Sequence, residues 1–127
     1  MNGTPGRFTM RLPKDPPAAR TARSALEEWL PTSNPRLRDA ALHIVTELVA
    51  NGVRYGRPPI QLTVAQLPDR LWIEVTDGGT GTPERREPGD DGGWGLEIVE
   101  GLADRWGLAG GGPGVWCELE GRQAPSP

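Results

Sequence analysis

Cysteine is almost missing from this chain. Cys117 is the only one in 127 residues, which excludes an internal disulfide and fits a reducing compartment. Lysine is as scarce: thirteen of the fourteen basic residues are arginine, with Lys14 the exception, a bias without functional content. No excess of positive charge exists either. The net charge is −3, so nothing advertises a nucleic-acid or membrane surface. No apolar run approaches the roughly 18 to 20 residues that cross a bilayer. The opening "MNGTPGRFTM" has no apolar segment of the signal-peptide kind. These absences lead us to expect a soluble, cytoplasmic protein without direct nucleic-acid or membrane contact.

A chain of 127 residues has room for one well-formed core and not comfortably for two. One domain over 1–127 is expected, packed from about residue 7 to about residue 120, with polar ends rich in Pro, Gly and Ser. In "RFTMRL" Phe8, Met10 and Leu12 alternate, which predicts a strand. Asp15-Pro16 predicts a capped helix start, and Ala19, Ala22, Leu26, Trp29 and Leu30 carry helical spacing up to Pro31. Asn34-Pro35 opens a longer amphipathic helix through Leu37, Ala41, Ile44, Val45, Leu48 and Val49, ending near Gly56.

The period then changes. Ile60, Leu62 and Val64, the turn "LPDR", and Leu71, Ile73 and Val75 predict a hairpin. Residues 78 to 93 contain no large aliphatic side chain and read as a long exposed loop. Leu96, Val99, Leu102 and Ala103 suit a short helix, and "GGGPG" separates two last strands, the second with Val115, Cys117 and Leu119. The order βααββ-loop-αββ indicates an α+β two-layer sandwich.

Three stretches carry possible chemistry. In "TELVANGVRY" Glu47 and Asn51 lie one helical turn apart on the shoulder of the apolar stripe. A bland reading makes them a boundary pair hydrogen-bonded to a neighbouring strand. The sharper reading uses the amide oxygen for a hard cation such as Mg²⁺ and the carboxylate to orient or deprotonate a nucleophile. Asp77 follows the inward-facing Leu71, Ile73 and Val75, and "DGGTG" places Gly78, Gly79 and Gly81 directly after it. Asp-Gly often merely begins a turn. A carboxylate at a strand end beside glycines can also accept from an exocyclic amine, with backbone close to a planar ring. Last, Gly92, Gly93 and Gly95 precede a helix whose first turn offers unpaired N–H groups to phosphate, although ordinary caps use glycine as well. The intervening loop looks like a lid.

Taken in order, the three stretches resemble the GHKL superfamily of ATP-binding domains, and within it the stand-alone anti-sigma-factor serine/threonine kinases. "ELVANGVRYG" is similar to the family's N box, "DGGTG" to its first glycine box and "GGWGLEIVEGLADRWG" to its second. The resemblance implies a Bergerat-type fold: a mixed, mostly antiparallel sheet covered on one face by about three helices. It implies that Asn51 holds Mg²⁺ at the phosphates of ATP and that Asp77 receives the adenine amino group. Gly79 and Gly81 would lie by the adenine and lid hinge, with Gly93, Trp94, Gly95 and Leu96 along the phosphates. Glu47 would be the base for a serine hydroxyl. The implied protein partners are an anti-sigma-factor antagonist as substrate and a sigma factor; relatives are often homodimers.

Tyr55 and Gly56 depart from the His-Ala of many relatives, and Trp94 is bulky for its place. His43 is not read as a phosphoacceptor, because the chain has no room for the separate helix pair that carries one. Arg85 and Arg86 read as solvated loop charge, and Cys117 as a buried strand residue. The five tryptophans are expected in the core or at a partner surface. Two other functions compete with the kinase: an ATP-binding module that sequesters a partner without phosphotransfer, and a conformational ATPase. The second is disfavoured because no transducer segment follows the ATP site.

Overall fold

The structure, a computed structural model, describes residues 3–4, 6–30, 34–79, 96–109 and 114–121. A two-residue strand β1 (Gly3–Thr4) precedes β2 (Arg7–Leu12), where the alternation expected of Phe8 and Leu12 buries both. Helix α1 (Ala18–Trp29) buries Ala18, Ala22 and Leu26 along one stripe. Its start departs from expectation. Pro17, not Asp15, occupies the N-cap, and no side chain caps the helix. Asp15 instead offers its backbone carbonyl to Ala18 N–H at 2.9 Å. The reason is the second proline: a residue that precedes proline is steered away from helical ψ, so Pro16 cannot begin the helix.

Helix α2 (Pro35–Tyr55) starts as the sequence predicts. Asn34 Oδ1 accepts from Arg36 N–H at 3.1 Å and Leu37 N–H at 3.2 Å, with proline at the first helical position. Its 21 residues make it the longest element. Ile44, Val45, Leu48 and Val49 are buried along its inward face. Strands β3 (Ile60–Leu67) and β4 (Arg70–Thr76) form the expected hairpin around Pro68-Asp69. Then come α3 (Leu96–Leu102), β5 (Arg105–Leu108) and β6 (Gly114–Glu120).

The strands form one sheet in the order β1-β2-β3-β4-β6-β5, five of them full-length with β1 as a short edge. Every pairing is antiparallel, which places the sheet at the antiparallel end of the expected mixture. Side chains alternate between faces. Leu62, Val64, Leu71, Ile73, Val75, Val115, Cys117 and Leu119 all turn to the inner face and are buried there. Helix α2 lies on that face across β3, β4 and β6; α1 packs on α2 and β2, and α3 packs on α2 and β5. Trp29 joins α1 to the sheet, its ring 5.6 Å from that of Phe8. The result is the two-layer α+β sandwich expected from the element order. Among the described residues no helix is long and apolar enough to cross a membrane. From Thr80 onward the expected lid loop, with Arg85 and Arg86, lies outside the described residues.

Cys117 sits at the centre of β6, fully buried. Burial, assisted by the neighbouring Glu118 charge, pushes its thiol pKa up to about 12. An unfolded chain releases that proton near pH 8.5. Between those values the unfolded state therefore binds fewer protons than the native one, so stability should fall as pH rises from about 9 to 12. Native Cys117 should also resist iodoacetamide at about pH 8.5 and react fully once the chain is unfolded in denaturant. Rapid alkylation of the native protein would contradict this packing.

Candidate functional site

The site grows out of the C-terminal half of α2. Asn51 is 6% exposed, one of only two polar residues buried among the described residues, and Glu47 is half-buried one turn earlier. Asn51 Nδ2 donates to the backbone carbonyl of Glu47 at 3.0 Å. That bond is to its own helix rather than to a neighbouring strand. The bond engages the amide nitrogen and leaves Oδ1, the atom suited to a hard cation, outside that contact. One residue on, Gly52 presses against β3: a Cβ there would meet Ile60 Cγ2 at 3.3 Å. At the helix end Arg54 places its guanidinium 5.6 Å from the Tyr55 ring, with a cation favoured near the negative end of the helix dipole.

Asp77 follows β4 directly and is half-buried. Its two oxygens have different surroundings. Oδ1 accepts from Gly79 N–H at 2.7 Å, a turn-type bond of the kind Asp-Gly-Gly favours. Oδ2 is buried and has no hydrogen-bond partner among the described residues. A carboxylate oxygen held away from water without a donor is costly, and such groups are rare in native proteins. Its position therefore calls for a donor that none of the described residues supplies. An amine on a bound ring is such a donor.

What holds Asp77 there is a feature the sequence reading took only as a departure. Gly56 ends α2, and a Cβ on it would lie 2.6 Å from Asp77 Oδ2 and 2.8 Å from the Gly52 carbonyl oxygen. Both distances are shorter than real Cβ contacts allow, so only glycine leaves room for the carboxylate. The loop after Gly56 completes the enclosure, because Gly78 N–H donates to the Arg57 carbonyl at 2.7 Å. A Cβ on Gly78 would collide with the Pro58 carbonyl oxygen. The helix end, the strand end and the loop that leads into β3 thus converge on one carboxylate. Gly52, the neighbour of Asn51, borders the same Gly56, which puts the N-box and glycine-box residues at one end of the sandwich. Nothing local in "GRPP" after the helix indicates this, because it depends on which strand end comes to rest beside Gly56.

Of the other residues singled out, Gly79 is described and bonded to Asp77. Leu96 is the first residue of α3. Gly81, Gly93, Trp94 and Gly95 lie outside the described residues. His43 lies on α2 more than three turns before Gly56, exposed and lining a separate cleft with Asp39, Asp104 and Glu120.

A family model described as histidine kinase-like ATPase domain matches residues 12–117, most of the chain. The chain belongs to that family. No curated protein matches it. Membership makes this an ATP-binding domain and gives a donor for the buried oxygen, since the purine of ATP carries an exocyclic amine. The described residues fit that ligand in two ways: an acceptor without a partner, and glycines where backbone must come close.

Gly56→Ala should therefore act on binding as well as on the fold. The added methyl must displace the Asp77 carboxylate or the last turn of α2, costing about 1 to 3 kcal/mol of stability. Calorimetric titration should show ATP affinity reduced by about tenfold or more, equivalent to at least about 1.4 kcal/mol. Unchanged affinity in a folded Gly56→Ala protein would mean that Asp77 does not depend on this glycine.

Proposed function

We propose that the protein is a Mg-ATP-dependent serine/threonine kinase of the anti-sigma-factor type, which phosphorylates an anti-sigma-factor antagonist and also binds a sigma factor. The observation that carries the nucleotide part is the buried Oδ2 of Asp77, without a hydrogen-bond partner among the described residues, at the strand end beside Gly56. In this reading Oδ2 accepts from the adenine amine while Oδ1 stays tied to Gly79, which fixes the angle of the carboxylate. The second glycine stretch, Gly93 to Gly95 with Leu96 opening α3, lines the phosphates.

Asn51 is the residue that holds Mg²⁺, through Oδ1, its Nδ2 being engaged by the Glu47 carbonyl. The bound cation supplies charge neutralisation at the phosphates. Glu47 takes the proton from an incoming serine hydroxyl in this reading; it is half-buried one turn away on the same helix. Its backbone carbonyl holds the Asn51 amide, so metal ligand and base share one rigid scaffold. Pure nucleotide binding has no use for a carboxylate there, which favours the kinase over a module that only sequesters a partner.

Nucleotide binding is checked by thermal unfolding. At about 100 times the dissociation constant, Mg-ATP should add roughly 2.7 kcal/mol. That raises the melting midpoint by about 5 to 15 °C for a chain of this size. Asp77→Asn should remove most of the shift and weaken the preference for adenine over guanine, because an amide can donate where only acceptance is wanted. An absence of any shift with saturating nucleotide would sink the ATP site as described.

Transfer is tested with labelled ATP and candidate antagonist proteins from the same genome. Glu47→Ala should keep nucleotide affinity and lose about 10² to 10⁴ in transfer rate. Asn51→Ala should instead weaken the magnesium dependence of binding itself. Two folded variants that fail separably support these roles, and full transfer by Glu47→Ala removes Glu47 as the base. If the unmodified protein binds ATP and phosphorylates no antagonist, the sequestering module is the correct function.

A further inference from the structure

On the face of the sheet that no described helix covers, the large apolar groups cover each other. Trp72 and Trp116 stack there with centroids 4.8 Å apart and planes 7° from parallel. The helical side differs. Among the described residues the exposed large hydrophobics are Leu108, on the edge strand β5, and Leu102, 39% exposed at the end of α3. Leu102 lines a cleft of about 620 Å³ between the first half of α2, the end of α3 and the end of β6. Leu37 and Leu119, themselves buried, supply its other apolar walls. The volume is in the range that ligand-binding clefts occupy.

Gly101 lines the same cleft and is out of place in a helix, where glycine is the least favourable residue after proline. Gly52 in α2, Gly107 in β5 and Gly114 in β6 are crowded: a Cβ on each would lie 3.3 Å or less from a neighbour. At Gly101 nothing lies within 4 Å of that position, and its φ is not in the left-handed region. Neither packing nor backbone conformation among the described residues therefore requires the missing methyl. Its effect is on the cleft, whose α3 wall is left low enough for another chain to come close.

Charge selects the visitor. Asp39, Asp104 and Glu120 border the cleft, and Arg36 is the one arginine or lysine along it. Glu120 is already met by Arg105 at 3.2 Å and drops out of the count. Asp104 accepts from Glu120 N–H at 2.7 Å, but neither it nor Asp39 has a cation at ion-pair distance among the described residues. Two carboxylates against the Arg36 guanidinium leave an excess of one negative charge.

We propose that this cleft docks a segment of another protein that presents an arginine or lysine beside an aliphatic side chain. The aliphatic group passes over Gly101 and covers Leu102. The cation is met by Asp39 from the α2 wall and by Asp104 from the opposite one. A small cation alone would answer the charge and leave Leu102 in water. A metal ion is a poorer match still, since among the described residues no group of three His, Cys, Asp or Glu side chains is placed to hold one. The cleft stands at the other end of α2 from the nucleotide site: Arg36 and Asn51 are about 22 Å apart along the helix axis. Docking there leaves Asp77 and Gly56 open, and the proposal does not depend on the kinase reading.

The test is selection from a display library of random short peptides on the full chain, with removal of every peptide that also binds Gly101→Leu. Leucine fills the low wall without a clash, because the space beside Gly101 is open. It should raise the melting midpoint by about 2 to 5 °C, which also shows that the variant is folded. The peptides that survive should carry an arginine or lysine within one helical turn of a Leu, Ile, Val or Met. Titrated into the labelled chain, the most enriched of them should move the backbone amide resonances of Gly101 and Leu102. Its affinity should fall by about tenfold or more for the Asp39→Asn, Asp104→Asn double variant, in which asparagine still accepts from Glu120 N–H. A selection that yields nothing able to tell the chain from Gly101→Leu overturns the proposal. So do survivors without a cation, and so does an affinity that the double variant leaves unchanged. A chain that self-associates, and loses that association in Gly101→Leu, would put a second copy in the cleft and overturn it as well.

Discussion

The seating of α2 across the inner face of the sheet is the contact on which the other features depend. Ile44, Val45, Leu48 and Val49 on the helix meet Leu62, Val64, Leu71, Ile73 and Val75 on the strands, and all are buried. Each such side chain contributes about 1.5 to 3 kcal/mol when removed from water. Because the helix is rigid, that apolar stripe also decides where its shoulder residues go. Asn51 is buried because Leu48 and Val49 are. Gly52 can press on Ile60, and Gly56 then arrives beside the end of β4. A shift of α2 by one residue would rotate Asn51 by about 100° and carry the carboxamide out of the site.

The site uses this core to hold something unfavourable. A buried carboxylate oxygen left unsatisfied costs on the order of 1 to 3 kcal/mol, and Asp77 Oδ2 has no donor among the described residues. It persists because the hairpin β3–β4, the Arg57–Gly78 hydrogen bond and the closure of α2 at Gly56 fix the backbone on both sides of it. An ATP-binding domain gains from such an arrangement. In the proposed role of Asp77, the acceptor is already in place and already out of water when the purine enters, so little rearrangement opposes binding.

Much of this was legible in the residues. Alternation located β2, β3, β4 and β6, because one face of each strand is buried and period two leaves no other assignment. The Asn34-Pro35 pair located the start of α2, because its cap is a local interaction completed within three residues. The same logic misplaced α1 at Asp15 by giving too little weight to the second proline. Asp77 was identified as inward-facing from its phase with Leu71, Ile73 and Val75. Gly56 is not legible in this way. Its role is set by a residue 21 positions later, and nothing local in "RYGRPP" says that a carboxylate will occupy the space a methyl would fill. The tryptophans show the same boundary: their strands were legible, but the stacking of Trp72 on Trp116 requires knowing that β6, and not β5, lies next to β4.

That neighbour relation bears on how the chain is assembled during synthesis. Strands β1 to β4 are sequential neighbours and can pair as they appear. The next strand described, β5, has no partner among them; it pairs with β6, and β6 is the last strand described. Until residue 120 is free to fold, β4 keeps an open edge beside the apolar side chains of Ile73 and Val75, and β5 has nothing to join. Unpaired strand edges with apolar neighbours are where nascent chains associate wrongly. The last strand described thus acts as the wedge that completes the sheet, between β4 and β5.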